Sequence, residues 1–183
     1  NRLNLPDVIN SKYDEIAASI NNISKEIYFA SDKPGGYGGT DLYVTRLLPN
    51  GEWGEAQNLG PVINTKYGEE GVFIHPDGKT LYFVSDMNGG NGGTDIYKSE
   101  FDGTNWSKPE NLGNVVNSGG NEMFPYFHED GTLFFSSNGH NSLGGLDVYM
   151  TTLHVDHWAR PENLNYPLNT KYDDFSYTLT DNK

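Results

Sequence analysis

Apolar and polar residues alternate along this chain with a period of two, in short runs that are rich in Tyr, Phe, Val, Ile and Thr. Gly, Asn, Asp and Pro bound these runs, which is typical of short β-strands joined by tight turns. No stretch shows the 3.6-residue spacing of an amphipathic helix. The pattern therefore predicts an all-β protein.

The strand pattern recurs about every 53 residues, and three sequence anchors mark each copy. The first is an aromatic strand that ends in Ser and then Asp or Asn, and it begins at Ile27, Leu81 and Leu133. The second is a Gly-Gly-x-Asp-apolar-Tyr stretch, found at residues 38–43, 92–97 and 144–149. The third is a tryptophan five residues before an Asn-Leu pair, and these tryptophans are Trp53, Trp106 and Trp158.

The second copy shows the expected strand layout most clearly. We predict strands at 70–75, 80–85, 94–100 and 106–112, with a Pro-Asp-Gly turn after the first strand in which Gly78 accepts a positive φ. Four antiparallel strands per copy describe one blade of a β-propeller. Because a single blade cannot bury both faces, we expect the recurring tryptophans to pack between blades.

The repeat divides the chain into blades at about 14–59, 69–112 and 121–164. Residues 173–183 would form the first strand of a further blade, and residues 1–13 the end of a preceding blade with its linker. About three and a half blades are thus present, whereas closed propellers have about 4 to 8. We therefore expect a segment of a larger ring whose exposed edges need partners.

Charge and composition exclude several classes of function. The chain has 12 Lys and Arg against 25 Asp and Glu, a formal net charge of −13, so nucleic-acid binding driven by phosphate contacts is not expected. No apolar run approaches the length of a membrane span. There is no cysteine, which excludes disulfides and thiolate chemistry.

One acidic position recurs just before the first strand of every copy. Its four members are Glu15, Glu69, Glu122 and Asp174. The first strand of a propeller blade is the innermost, so these carboxylates would form an arc at one mouth of the central channel. Such an arc would bind a cation, calcium included, or a basic segment of a partner. The alternative is architectural, with each carboxylate accepting backbone N–H bonds from a linker and fixing the packing of the blades.

A second acidic position lies beside each Gly-rich loop, at Asp41, Asp95 and Asp147. The spacing lacks the alternating acids of a dedicated calcium loop, which favours capping of the loop backbone. Among the histidines, His154 and His157 form a His-x-x-His pair in a hairpin, a weak metal signal. We assign no metal site from the sequence and interpret the histidines as surface residues.

The sequence offers no catalytic constellation. It has no Gly-x-Ser-x-Gly elbow and no paired nucleophile and base. Glycosidases on propellers use channel carboxylates, but the recurring acids here are equivalent, and acid and base roles need different environments. Tyr37, in the first Gly-rich loop, is a single aromatic side chain rather than a platform for sugars. We therefore expect no enzyme activity.

Residues 73–86, followed by the Gly-Gly-Thr-Asp-Ile-Tyr stretch, resemble the WD-like Pro-Asp-Gly propeller repeat of TolB and related periplasmic proteins. The first copy has Asn22-Ile23-Ser24 and the third Glu129-Asp130-Gly131 in place of Pro-Asp-Gly. The linker, Asn-Leu-Gly-x-x-Ile-Asn-Thr-Lys-Tyr, is similar to that of envelope proteins of Gram-negative Bacteroidetes. In those proteins the propeller often precedes an OmpA-like peptidoglycan-binding domain, and some members serve secretion or outer-membrane assembly.

The resemblance implies an exported, non-catalytic scaffold without a cofactor, in the periplasm or at the outer membrane. Its partners would be other envelope proteins or the remainder of its own chain. Association with peptidoglycan or the outer membrane would be indirect, through domains that these residues do not contain. Any export signal is expected outside these residues as well. The alternative is a carbohydrate- or metal-binding propeller that uses its central channel.

Overall fold

A computed structural model describes residues 8–179, and it is all-β, as the sequence predicts. The first sheet holds β1 (Glu15–Asn21), β2 (Glu26–Ser31), β3 (Asp41–Arg46) and β4 (Gln57–Asn58) in that order. The second holds β5 (Glu69–Ile74), β6 (Thr80–Ser85), β7 (Asp95–Glu100) and β8 (Glu110–Asn111). The third holds β9 (Glu122–Phe127), β10 (Thr132–Ser137), β11 (Asp147–His154), β12 (His157–Trp158) and β13 (Glu162–Asn163). Each sheet is one blade with four strand positions, and the third sheet has five strands because β12 and β13 both pair with β11 at the fourth position.

The fourth strand is short or interrupted in each blade, and in the second blade it is shorter than the predicted 106–112. In the second blade it is reduced to β8, with one isolated bridge between Phe101 and Trp106. In the third blade it is split into β12 and β13, which both pair with β11. In each blade the pairing of the fourth strand is interrupted between the tryptophan and the last short strand. There a hydroxyl of the third strand donates to a carbonyl of the fourth segment and replaces the missing ladder bond. These bonds are Thr45 to Gly54 at 2.6 Å, Ser99 to Ser107 at 2.7 Å and Thr151 to Ala159 at 2.7 Å.

A β-bulge interrupts the first strand of a blade. The pairing shifts between Ile16 and Ala18 in β1, and Ala17 between them has a φ of 47°. In the third blade the pairing of β9 with β10 shifts in the same way, and Phe124 in β9 has a φ of 54°. The extra residue in left-handed conformation bends the strand and increases its twist. The bulge is thus part of the blade design.

Residues 173–179, the described part of the strand predicted at 173–183, carry no ladder of hydrogen bonds, and the further blade remains a prediction. The segment nevertheless repeats the left-handed residue of the first strands, since Ser176 has a φ of 65°. Its aromatic side chains pack on the third blade. The ring centroids of Phe175 and Phe124 are stacked 5.2 Å apart, and those of Tyr177 and Phe134 lie 5.0 Å apart. Residues 1–7 and 180–183, parts of the predicted outer blades, lie outside the described residues.

The chain forms two compact units. One holds the chain up to Phe83 together with Ser99–Pro109, and the other holds Val84–Lys98 and the chain from Glu110. The core of the first unit includes a buried cluster of Ile9, Ile27, Phe29 and Tyr43. In the second unit, the buried rings of Phe135 and Tyr149 stack at 5.9 Å. Within residues 8–179 there is no helix with the length and hydrophobicity needed to cross a bilayer.

Candidate functional site

The recurring acidic position is tied to the linker that precedes it. Glu122 is fully buried, and its carboxylate accepts bonds from the Ser118 amide at 2.8 Å, the Ser118 hydroxyl at 2.5 Å and the Ser137 hydroxyl at 2.6 Å. Glu69 is also fully buried and accepts bonds from the amide and hydroxyl of Thr65 at 2.8 and 2.7 Å. Both carboxylates therefore close a tight loop of the linker.

The two outer members of the set make the same contacts. Glu15 accepts the amide of Ser11 at 2.9 Å and its hydroxyl at 2.5 Å, and Asp174 accepts the amide of Thr170 at 2.5 Å and its hydroxyl at 2.9 Å. In all four copies the partner lies four residues earlier in the chain. These bonds fix the conformation of the linker, as the architectural alternative expects. The binding role of the acidic arc remains a prediction. In the described part of the chain, no three or more metal-ligating side chains gather in a cation-sized cluster.

The second acidic position holds the Gly-rich loops. Asp41 accepts the backbone N–H of Tyr37 at 2.6 Å and of Gly38 at 3.0 Å. Asp95 accepts the equivalent bonds from Asn91 and Gly92, and Asp147 accepts one from Leu143 at 2.5 Å. A Cβ on Gly36 would lie 2.0 Å from the Asp41 carboxylate, so the loop needs glycine there. The three aspartates thus fix the shape of the loops.

A buried asparagine in the three linkers that follow the blades is a further recurring feature, which sequence reasoning used only to align the copies. The Asn117 side chain accepts the N–H of Ile96 at 2.8 Å and donates to its carbonyl at 3.0 Å. Asn64 makes the same pair of bonds with Leu42, and Asn169 makes it with Val148. The invariant place of this Asn in the linker copies is the signal that points to its role.

These asparagines extend into a network with the loop aspartates. Asn117 donates to the side chain of Asn111 at 2.8 Å, and Asn111 donates to Asp95 at 2.9 Å. The first and third blades repeat the chain of bonds through Asn58 and Asn163. Because Asp95 and Asn117 are almost fully buried, this network joins the linker, the fourth strand and the Gly-rich loop of one blade in a dry environment.

The tryptophans do not all play the same part. Trp106 lies edge-on to Tyr28 of the first blade, with ring centroids 6.2 Å apart, so it packs between blades as predicted from the sequence. Trp53 packs against the core cluster around Phe29 in its own blade. Trp158 lies 6.2 Å from Phe127, also within its own blade.

A charged cluster lies at the start of β2. The Glu26 carboxylate accepts bonds from Ser24, from Tyr28 at 3.0 Å and from the Arg46 guanidinium, whose Nε lies at 3.0 Å. Burial alone would raise the pKa of Glu26, but these hydrogen bonds and the Arg46 charge outweigh burial and hold the pKa below its ordinary value of 4.5. Burial and the neighbouring Glu26 charge raise the pKa of Tyr28. Glu26 is therefore a buried anion with a full set of donors.

The histidines lie in turns. The Nδ1 atoms of His75 and His128 each lie 3.1 Å from the carboxylate of an aspartate two residues later, Asp77 and Asp130. His154 and His157 face each other across a hairpin, with ring centroids 5.3 Å apart. Tyr37 is 51% exposed on the first Gly-rich loop.

Comparison with known proteins identifies the type of fold. No family model matches the sequence, and no curated protein matches it. The chain is similar to the crystal structure of TolB from Acinetobacter baumannii, with a TM-score of 0.59 and 16% identity over 89% of this chain and 35% of that one. It is also similar to a putative TolB from Agrobacterium tumefaciens, with a TM-score of 0.55 and 18% identity over 94% of this chain and 55% of that one.

A structure from a study of two prolyl endopeptidases is similar as well, with a TM-score of 0.51 and 20% identity over 89% of this chain and 22% of that one. The chain thus spans between about a third and just over half of the TolB structures it matches. At such low identities the likeness concerns the fold. The chain has the blade fold of a TolB-type β-propeller.

Proposed function

We propose that this chain is a non-catalytic protein–protein interaction module of the bacterial cell envelope. The observation that carries the proposal is the pair of exposed apolar side chains on the Gly-rich loops. Tyr37 and Leu143 occupy equivalent positions in the first and third loops and are 51% and 56% exposed. Each has its backbone N–H bonded to the buried aspartate of its loop.

An exposed apolar side chain on a fixed loop suits recognition of a protein. The aspartate cap has already ordered the loop, so binding loses less conformational entropy than it would with a flexible loop. Aromatic and apolar anchors of this kind supply the buried centre of protein interfaces. The net charge of −13 adds a preference for a basic partner surface and speeds the encounter with it.

The TolB-like fold and the repeat pattern support an exported protein of the periplasm or the outer membrane. In this setting the module would be a subunit of an outer-membrane assembly or secretion complex. Contact with peptidoglycan would come through separate domains, as the resemblance to propellers of OmpA-family proteins suggests.

The alternative, a saccharide or metal site built from the channel carboxylates, has less support. Glu69 and Glu122 are fully buried, and their oxygens already accept bonds from linker amides and hydroxyls. A carboxylate that acts on a substrate needs an oxygen turned towards it. Within residues 8–179, Glu69 and Glu122 accept the same kinds of hydrogen bonds from their linkers, so their surroundings do not assign a general acid and a general base.

Site-specific photo-crosslinking in the cells that make the protein tests the proposal. A photoreactive amino acid is placed at Tyr37 or Leu143 of the full parent protein, and at the exposed turn residue Glu129 as a control. We expect a discrete adduct with one envelope protein from positions 37 and 143, identified by mass spectrometry. The absence of adducts at both loop positions, or the same adducts from position 129, would contradict the proposal.

A further inference from the structure

The hairpin between β11 and β12 brings two histidines together at an exposed tip. The turn contains Val155 and Asp156, and His154 lies directly opposite His157 in the pairing of the two strands. Both imidazoles are exposed, and Val155 at the tip is fully exposed. The rings are therefore open to a small solute from solvent.

The separation of the two rings matches that of two imidazoles on one metal ion. A metal such as Zn²⁺ binds imidazole nitrogen at about 2.0–2.1 Å, which places the ion about 3.2 Å from each ring centre. At a tetrahedral angle the two ring centres are then about 5.2 Å apart. The observed centroid distance is 5.3 Å, with 41° between the ring planes. The two ring centres thus lie at the separation that chelation of one ion requires.

Asp156 supplies a second, independent feature of a metal site. Its carboxylate lies 2.8 Å from Nδ1 of His157. When an imidazole donates Nδ1–H to a carboxylate, Nε2 is left with its lone pair for a metal. Carboxylate–histidine pairs of this kind orient the ligands of many zinc sites. Asp156 would act here as a positioning residue.

We propose that His154 and His157 bind one late first-row divalent cation of the Zn²⁺ class. Imidazole suits Zn²⁺, Cu²⁺ and Ni²⁺, whereas Mg²⁺ and Ca²⁺ prefer oxygen ligands. Two protein ligands leave further coordination positions, which water or a donor from a partner would fill. The site rests on the hairpin geometry alone and does not depend on the interaction function proposed above.

Calorimetric titration of the tag-free protein with ZnCl₂ near neutral pH tests this site. We expect one saturable site in the original protein. His154→Asn and His157→Asn should each weaken Zn²⁺ binding at least about tenfold. In the original protein one imidazole binds the ion and the other is then already nearby at high effective concentration, and each variant loses this second imidazole. Asp156→Asn should weaken it by about tenfold without changing the unfolding midpoint. Titration with MgCl₂ should give no binding.

His75→Asn and His128→Asn are matched controls, since Nδ1 of each of these histidines also lies 3.1 Å from an aspartate carboxylate but in a separate turn. Both should bind Zn²⁺ like the original protein. Nitrogen chemical shifts of the imidazoles give a direct second measurement, and Zn²⁺ should move the Nε2 signal of His157. Equal Zn²⁺ affinity of the original protein and the His154→Asn/His157→Asn double variant would overturn the proposal, as would an equal loss in His75→Asn.

Discussion

At the scale of the residue, a single buried amide replaces a missing strand neighbour. Asn117 accepts the N–H of Ile96, which lies beyond the short fourth strand of the blade, and shares the Ile96 carbonyl with the N–H of Leu112. Burying backbone polar groups without partners costs free energy, so each blade needs this side chain or an equivalent one. The recurrence of the Asn in the linkers follows from that need.

Replacing Asn117 by Ala therefore leaves the buried N–H of Ile96 without its side-chain acceptor and removes the bond from Asn117 to Asn111, whereas the carbonyl of Ile96 keeps its bond from the Leu112 N–H. We expect the free energy of unfolding to fall by about 2–4 kcal/mol, measured by urea denaturation. Asn105→Ala, in an exposed turn, is the control and should change it by less than about 0.5 kcal/mol. Equal stabilities of the two variants would show that the amide does not support the strand.

The Glu26 cluster predicts a dependence of stability on pH. Because its pKa in the folded protein is lower than its ordinary value of 4.5, the ionised carboxylate stabilises the fold fully above pH 4.5. That contribution is lost as the pH falls through the lowered pKa. Urea midpoints of the original protein should therefore drop more steeply below pH 4.5 than those of Glu26→Gln. Parallel pH profiles for the two proteins would contradict this assignment.

Sequence reasoning located the polar positions of the blade but assigned only some of their roles. The aspartate at Asp41 was interpreted as a loop cap because Gly and Asp recur together in turns. The role of Asn64 stayed hidden because its partner, Leu42, lies 22 residues earlier in the chain, and no local pattern encodes that distance. Long-range hydrogen bonds to the backbone require the fold.

At the scale of the element, the third strand partly compensates for the weak fourth strand. The bounds of β6 were predicted correctly, because a run of aromatic and β-branched residues defines them. The predicted fourth strand of the second blade, 106–112, is longer than β8. The sequence does not show that the Ser99 hydroxyl, rather than a backbone N–H, donates to the carbonyl of Ser107. The bulge at Phe124 was not predicted, because a bulky residue is a rare choice for a positive φ.

The hydroxyl substitution in the third strand is testable in β11. Thr151→Val keeps the shape of the side chain but removes its bond to the carbonyl of Ala159. We expect a loss of about 1–2 kcal/mol in the free energy of unfolding. Thr152→Val, on the exposed side of the same strand, serves as the comparison and should lose less than about 0.5 kcal/mol. A smaller loss at Thr151 than at Thr152 would refute the compensating role.

At the scale of the whole molecule, the sequence repeat predicts the blades but not the number of blades in a ring or the partner. Three copies of one strand pattern are enough to predict blades, since only stacked units of this kind bury both of their faces. The number of blades in a complete ring remains a prediction, and the chain spans 35% of the TolB structure from Acinetobacter baumannii. The partner likewise remains a prediction, and the proposed function places its contact at exposed loop residues such as Tyr37.

The central claim is that the recurring carboxylates stabilise the linkers, and the proposed function then places partner binding at the loops. Equilibrium unfolding of Glu122→Gln, with and without added calcium chloride, tests it most directly. Gln places an NH₂ donor among the amide and hydroxyl donors of Ser118 and Ser137, at a fully buried site. Glu110→Gln, whose carboxylate is largely exposed in an ion pair with Lys98, is the control.

We predict that Glu122→Gln lowers the free energy of unfolding by about 1–3 kcal/mol, that Glu110→Gln changes it by less than about 0.5 kcal/mol, and that calcium affects none of the proteins. An unchanged stability of Glu122→Gln would contradict the account. Calcium that stabilises the original protein but not Glu122→Gln would do so as well, and would make the acidic arc a cation site.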